Sequence, residues 1–149
     1  MAAILKQNLL PIIAIMLYLA SLLLPALHTE FIYHYGGDPL IEKNNPIYGW
    51  HILLIGWAGI LDWTISWYAN PAFFASIILY INNHPASLPL SKAALALGIS
   101  SFLYRNMWSE DGTPEHIASY GPAFYLWLLS FVLMLYATTK KFKLVTLYR

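Results

Sequence analysis

Residues 49–81 form an apolar run of 33 residues, GWHILLIGWAGILDWTISWYANPAFFASIILYI, interrupted only at Tyr68-Ala69-Asn70-Pro71 and carrying one carboxylate, Asp62. A straight helix of that length rises ~50 Å, well beyond a hydrocarbon core of ~30 Å. The run must therefore bend, and Asn70-Pro71 is where it is expected to do so, because a proline disfavours helix at the residue before it. Residues 49–67 are long enough to cross a bilayer once. Residues 71–81, only 11 in number, read as a short extension: an interfacial or re-entrant piece, or a kinked continuation.

Composition points to lipid. Hydrophobic residues make up 59% of the 149 and charged residues 10%, against ~25% charged in soluble domains. A chain of this size buries too little of its surface to hide that much apolar area from water. It is read as a single transmembrane domain over residues 1–149. Further apolar runs lie at 9–27, 88–104 and 120–139. The first exceeds the h-region of a signal peptide (~7–15 residues) and lacks a small-x-small cleavage site, so it too reads as a membrane helix. The runs are continuous rather than alternating, which argues against a membrane β-barrel. The fold expected is all-α: a bundle of four transmembrane helices, the second broken or kinked near Asn70-Pro71.

Charge orients the chain. Lys6 precedes the first run, and Lys140, Lys141, Lys143 and Arg149 follow the last. The positive-inside bias places both termini in the cytoplasm. Residues 28–48 hold Glu30, Asp38 and Glu42 against Lys43, and residues 106–119 hold no Lys or Arg. Both read as outer loops, punctuated by Gly36-Gly37, Asp38-Pro39 and Asn44-Asn45-Pro46. An even number of crossings follows.

Candidate sites were sought on this frame. On one continuous helix His51, Ile55, Ala58, Gly59, Asp62 and Ser66 share a face, making Asp62, Ser66 and Asn70 the ion or proton candidates; intramembrane acids mark ion paths. Asp62 nevertheless falls near the inner interface, where hydrogen bonding to Ser66, Asn70 or backbone also accounts for it. His28, His34, His51 and His116 lie on the outer side with six acids, the residue types that hold Zn²⁺, although their spacing is not a metal motif. Ser91, Ala94, Gly98 and Ser101 form a small-residue face for helix packing. Trp50, Trp63, Trp67 and Tyr68 read as interfacial anchors. There is no cysteine, no phosphate-binding glycine loop, no HExxH and no GxSxG. No cofactor is expected. No basic patch with interleaved aromatics suggests nucleic acid.

Three stretches carry a resemblance: SLLLPAL at 21–27, GWH at 49–51 through WYANP at 67–71, and YGPAFYLWLLS at 120–130. Together they resemble a loose group of small four-span bacterial inner-membrane proteins of unknown function. The resemblance implies a bacterial inner-membrane location and transfers no activity. The role expected is a non-catalytic accessory or interaction subunit, with the lipid bilayer and other membrane subunits or further copies of itself as partners. The alternatives are a small oligomeric transporter or channel using Asp62, and a membrane enzyme or metal-binding protein using the outer histidines and acids.

Overall fold

A computed structural model describes the chain apart from residues 1, 36–37, 44–45, 63, 109–113 and 148–149; side chains are described outside residues 1–7, 32–45, 60–63, 108–114 and 144–149. The described residues form five α-helices and five strands. The helices are α1 (Ala2–Leu22), α2 (Gly49–Ile55), α3 (Ala69–Ile81), α4 (Ser87–Ile99) and α5 (Pro122–Leu147). The strands are β1 (Pro25–Tyr35), β2 (Asp38–Lys43), β3 (Ile47–Tyr48), β4 (Asn106–Trp108) and β5 (Pro114–Tyr120).

The all-α bundle of four transmembrane helices is therefore not what the chain forms. The two segments read as outer loops are an antiparallel sheet in the order β2-β1-β5-β4, with β3 also on β1. Its centre is β1, whose Thr, Phe, Ile and Tyr residues suit a pleated surface. In β1 and β2 Tyr35 stands opposite Asp38 and Glu30 opposite Lys43, an antiparallel register. Leu27 pairs with Tyr120 and Glu30 with His116 in β1 and β5. The backbone polar groups that face one another across these strands are thus satisfied by pairing.

The second expected crossing also fails. Helix α2 ends at Ile55 and a 3-10 turn, Gly56–Asp62, follows. Two glycines within four residues weaken helix at that point. The chain then doubles back: the Trp67 Nε1–H donates to the Leu53 carbonyl at 2.9 Å, whereas fourteen residues of straight helix would hold them ~21 Å apart. The Trp67 indole also sits where a Cβ on Gly56 would lie, 2.6 Å away. Asn70-Pro71 does not break a helix but opens one. Pro71 falls in the first turn of α3, where a missing N–H costs little. Residues 71–81 are the body of that helix.

Helices α1, α3, α4 and α5 pack together, with α1 against α5, α3 against α4, and α4 against α5. Among the described residues one helix, Pro122–Lys143, is long and apolar enough to cross a membrane; Asn8–Leu22 and Ser87–Leu103 are shorter apolar helices. The interior is lined by Ala14, Tyr18, Phe73, Ile77, Phe131 and Met134 together with small hydroxyls. Ser87 donates to the Ser76 carbonyl at 3.0 Å and joins α3 to α4. Thr138 donates to Ser91 at 3.3 Å and joins α5 to α4. The outside of the helices is apolar as well: Met16, Leu19, Ile78, Ile81, Phe74 and Val132 are all exposed. The sheet caps the end where α1 finishes and α5 begins. There Gly49 N–H donates to Leu24 O at 3.1 Å and Gly121 N–H to Ala26 O at 2.8 Å. A Cβ on Gly49 would strike the Ser21 carbonyl, and one on Gly121 the Pro25 carbonyl. Glycine is needed at both for the backbones to approach.

Candidate functional site

A cavity of about 630 Å³ lies between the sheet and the helical layer. It is within the ~300–1,000 Å³ range of small-molecule pockets. Helix α2 and the turn after it supply one wall through Ile52, Leu53 and Ala58; β4 and β5 supply another through Met107 and Ile117; the ends of α1, α3 and α5 close it with Tyr18, Asn70, Phe124 and Trp127. Most of this wall is apolar. None of the α2 residues is fully buried.

The closed end is built around one amide. Asn70, 5% exposed, accepts at Oδ1 from the Tyr18 hydroxyl at 3.0 Å and from the Trp127 Nε1–H at 2.8 Å. Its Nδ2 donates to the Trp67 carbonyl at 2.9 Å. A single side chain thereby ties α1, α3 and α5 together and holds the turn before α3. The Tyr18 ring stacks on Phe73 at 5.2 Å, and Trp127 packs on Phe131 at 4.7 Å. A buried polar group in an apolar layer is tolerable only when satisfied. Among the described residues no buried side-chain nitrogen or oxygen lacks a partner.

The open end is polar. Tyr120 donates to the Ser101 carbonyl at 2.9 Å. Tyr104 accepts the Ile65 N–H at 3.1 Å. Arg105 is exposed beside them and is the one charged residue among the described lining residues. Its carbonyl is fixed by the Ile117 N–H at 2.8 Å.

The structure redistributes the residues singled out from sequence. Asp62, Ser66 and Asn70 do not form a helical stripe, because the helix that would align them stops at Ile55. Ser66 and Asn70 both line the cavity. The Asp62 side chain lies outside the described residues. His28 and His34 are on β1 and His116 on β5, with His28 opposite Ser119 and His116 opposite Glu30; the His34 side chain lies outside the described residues. His116 Nδ1 is 3.2 Å from Asn106 Oδ1, and His51 stacks on Trp50 at 5.4 Å. Among the described residues no three His, Asp or Glu are placed to share a metal ion. Ser91, Ala94 and Gly98 are buried along one face of α4. A Cβ on Gly98 would meet Leu128 and Phe131 of α5 at 2.9 and 3.0 Å. Ser101 lies beyond the helix, on the cavity. Trp50 is exposed, Trp67 lines the cavity, Tyr68 meets the Trp67 ring edge-on at 5.4 Å, and Trp63 lies outside the described residues.

Sequence reasoning did not single out Tyr18, Tyr104, Arg105 or Tyr120 for the site. For Tyr18 and Tyr120 a signal existed: a hydroxyl inside an apolar segment needs a partner when buried. For Arg105 the signal was its position at the edge of an apolar run. Comparison with protein-family models, curated proteins and solved structures gives no match.

Proposed function

We propose that this chain is a non-catalytic accessory protein of a bacterial inner membrane that holds a small molecule between its helical layer and its sheet. The observation that carries the reading is the 630 Å³ cavity, walled by both layers and anchored at its closed end by Asn70. Support for the lipid setting is the apolar outer surface of the helices. Met16, Leu19, Ile78 and Ile81 face outward, while the buried hydroxyls of Ser76, Ser91 and Ser130 are spent on backbone carbonyls of their own helices. Water penalises that arrangement, and lipid does not. The bacterial setting rests on the resemblance of residues 21–27, 49–51, 67–71 and 120–130. A holding role suits a lining that is mostly apolar and in which the Ser21 and Tyr120 hydroxyls are committed to carbonyls. The small-residue face of α4 is occupied by α5, so it is not a seat for another subunit.

The test has two parts. Membranes from cells expressing the full chain are washed with alkaline carbonate, and the protein is expected to stay in the pellet. The detergent-purified chain is then examined by native mass spectrometry for a retained small-molecule adduct. Ile52→Trp, which places an indole in the cavity from the half-buried wall, is expected to lose the adduct. Release by carbonate, or an adduct undiminished in Ile52→Trp, would refute the reading.

A further inference from the structure

The cavity is polarised, and the polarity points to a ligand class. Its body is hydrocarbon: Ile52, Leu53, Met107, Ile117 and Phe124. Arg105, exposed, stands between Tyr104 and Asn106 in sequence, and all three line the cavity. Glu115, the described carboxylate of the neighbouring strand, is buried and does not line it. A guanidinium presents a planar fork of donors that matches a carboxylate or phosphate two bonds at a time. A charge at the mouth of an apolar slot selects a molecule that is charged at one end and apolar along the rest. We infer that the cavity takes an anionic single-chain amphiphile, with its acidic head on Arg105 and its chain laid along Ile52, Met107 and Ile117 toward Trp127. The inference rests on the binding role proposed above and specifies its ligand.

Its chemistry accounts for the incompletely buried wall. Helix α2 contributes apolar side chains to the cavity while burying none of them fully. A chain lying beneath it would complete that packing, since burial of apolar surface is roughly additive in area.

The experiment uses the full chain in maltoside micelles with palmitate bearing a photoactivatable diazirine on its tail. Crosslinks are mapped by peptide mass spectrometry. Saturable labelling is expected at Ile52, Met107 and Trp127. Unlabelled palmitate and 1-palmitoyl lysophosphatidate, which present the carboxylate and phosphate forms of the same head chemistry, are both expected to compete. Uncharged monopalmitin should compete about tenfold less well, the scale of one charge-assisted contact of ~1.4 kcal/mol. Arg105→Gln should weaken competition by the two acids about tenfold and leave monopalmitin unchanged; Arg105→Lys, which keeps the charge, should retain most of it. Saturable labelling in which monopalmitin matches palmitate would overturn the anionic ligand and leave the binding role standing. Labelling that never saturates and spreads over Met16, Ile78 and Val132, as bulk detergent contact does, would overturn both.

Discussion

Asn70 concentrates more of the structure than any other single residue. Two donors from helices 52 and 57 residues away in sequence meet on its amide oxygen. Removing that acceptor leaves a phenol and an indole N–H facing an apolar interior. The cost of one unsatisfied buried group is ~1–3 kcal/mol in water-soluble folds and ~0.6–2 kcal/mol among membrane helices. Asn70→Ala is therefore expected to lower the unfolding free energy by ~2 kcal/mol, measured by denaturation in maltoside followed through tryptophan emission. Tyr18→Phe removes one donor and should cost ~1 kcal/mol. The double variant should show coupling of ~0.5–1 kcal/mol between the two sites; strict additivity would mean that the Tyr18–Asn70 bond contributes nothing. Asn70 stood out in the sequence as a helix breaker beside Pro71. Its actual role depends on partners that only folding brings near.

Among the elements, one junction docks the sheet on the helices and another ties two helices at the far end. Gly121 links β5 to α5 with its backbone against that of Pro25. Gly121→Ala forces the two apart, and a destabilisation of ~1–3 kcal/mol is expected, of the size seen when a packed core is overfilled. A thermal midpoint unchanged from that of the parent chain would show that the approach is not needed. At the opposite end, Lys141 reaches across from α5 to α3. Its ammonium donates to the Tyr80 carbonyl at 2.6 Å and lies 3.8 Å above the Tyr80 ring. It satisfies a carbonyl of the last turn of α3 and adds a cation–π contact. Lys141→Met should cost ~1 kcal/mol while Lys141→Arg recovers most of it, measured by the same denaturation. The helices were legible as apolar runs, and the prolines at 71 and 122 mark true helix starts. The strands were not. Residues 25–35 carry aromatic and β-branched side chains, and Gly36-Gly37 is a two-residue hairpin signal, but turn residues spread across 36–46 make the same stretch read as loop. Pairing with β5, which begins 79 residues after Tyr35, is what makes β1 a strand.

At the scale of the molecule, the two ends differ in charge. The sheet end carries Glu30, Asp38, Glu42 and Glu115, and the far end of α5 carries Lys140, Lys141 and Lys143. The proposed membrane setting therefore puts the sheet outside and the lysines in the cytoplasm. The chain has no cysteine, so single labels report cleanly. A cysteine at exposed Ala118 on β5 is expected to react with a membrane-impermeant maleimide on intact spheroplasts. One at exposed Asn82, in the turn between α3 and α4, should react only after permeabilisation. The reverse pattern would invert the molecule. What the sequence by itself determined is the material: an apolar, cysteine-free chain with small residues at helical spacing on α4, charge sorted to two ends, and glycine or proline near the starts of α2, α3 and α5. Those properties are local sums over neighbouring residues. Only the tertiary structure decided that residues 49–68 fold back instead of running through, that two acidic loops pair as a sheet, and that buried Asn70 and exposed Arg105 line one cavity. Each of those depends on contacts between residues far apart in the chain, where hydrogen bonds such as Trp67 to Leu53 and strand pairs such as Leu27 to Tyr120 outweigh local helix preference.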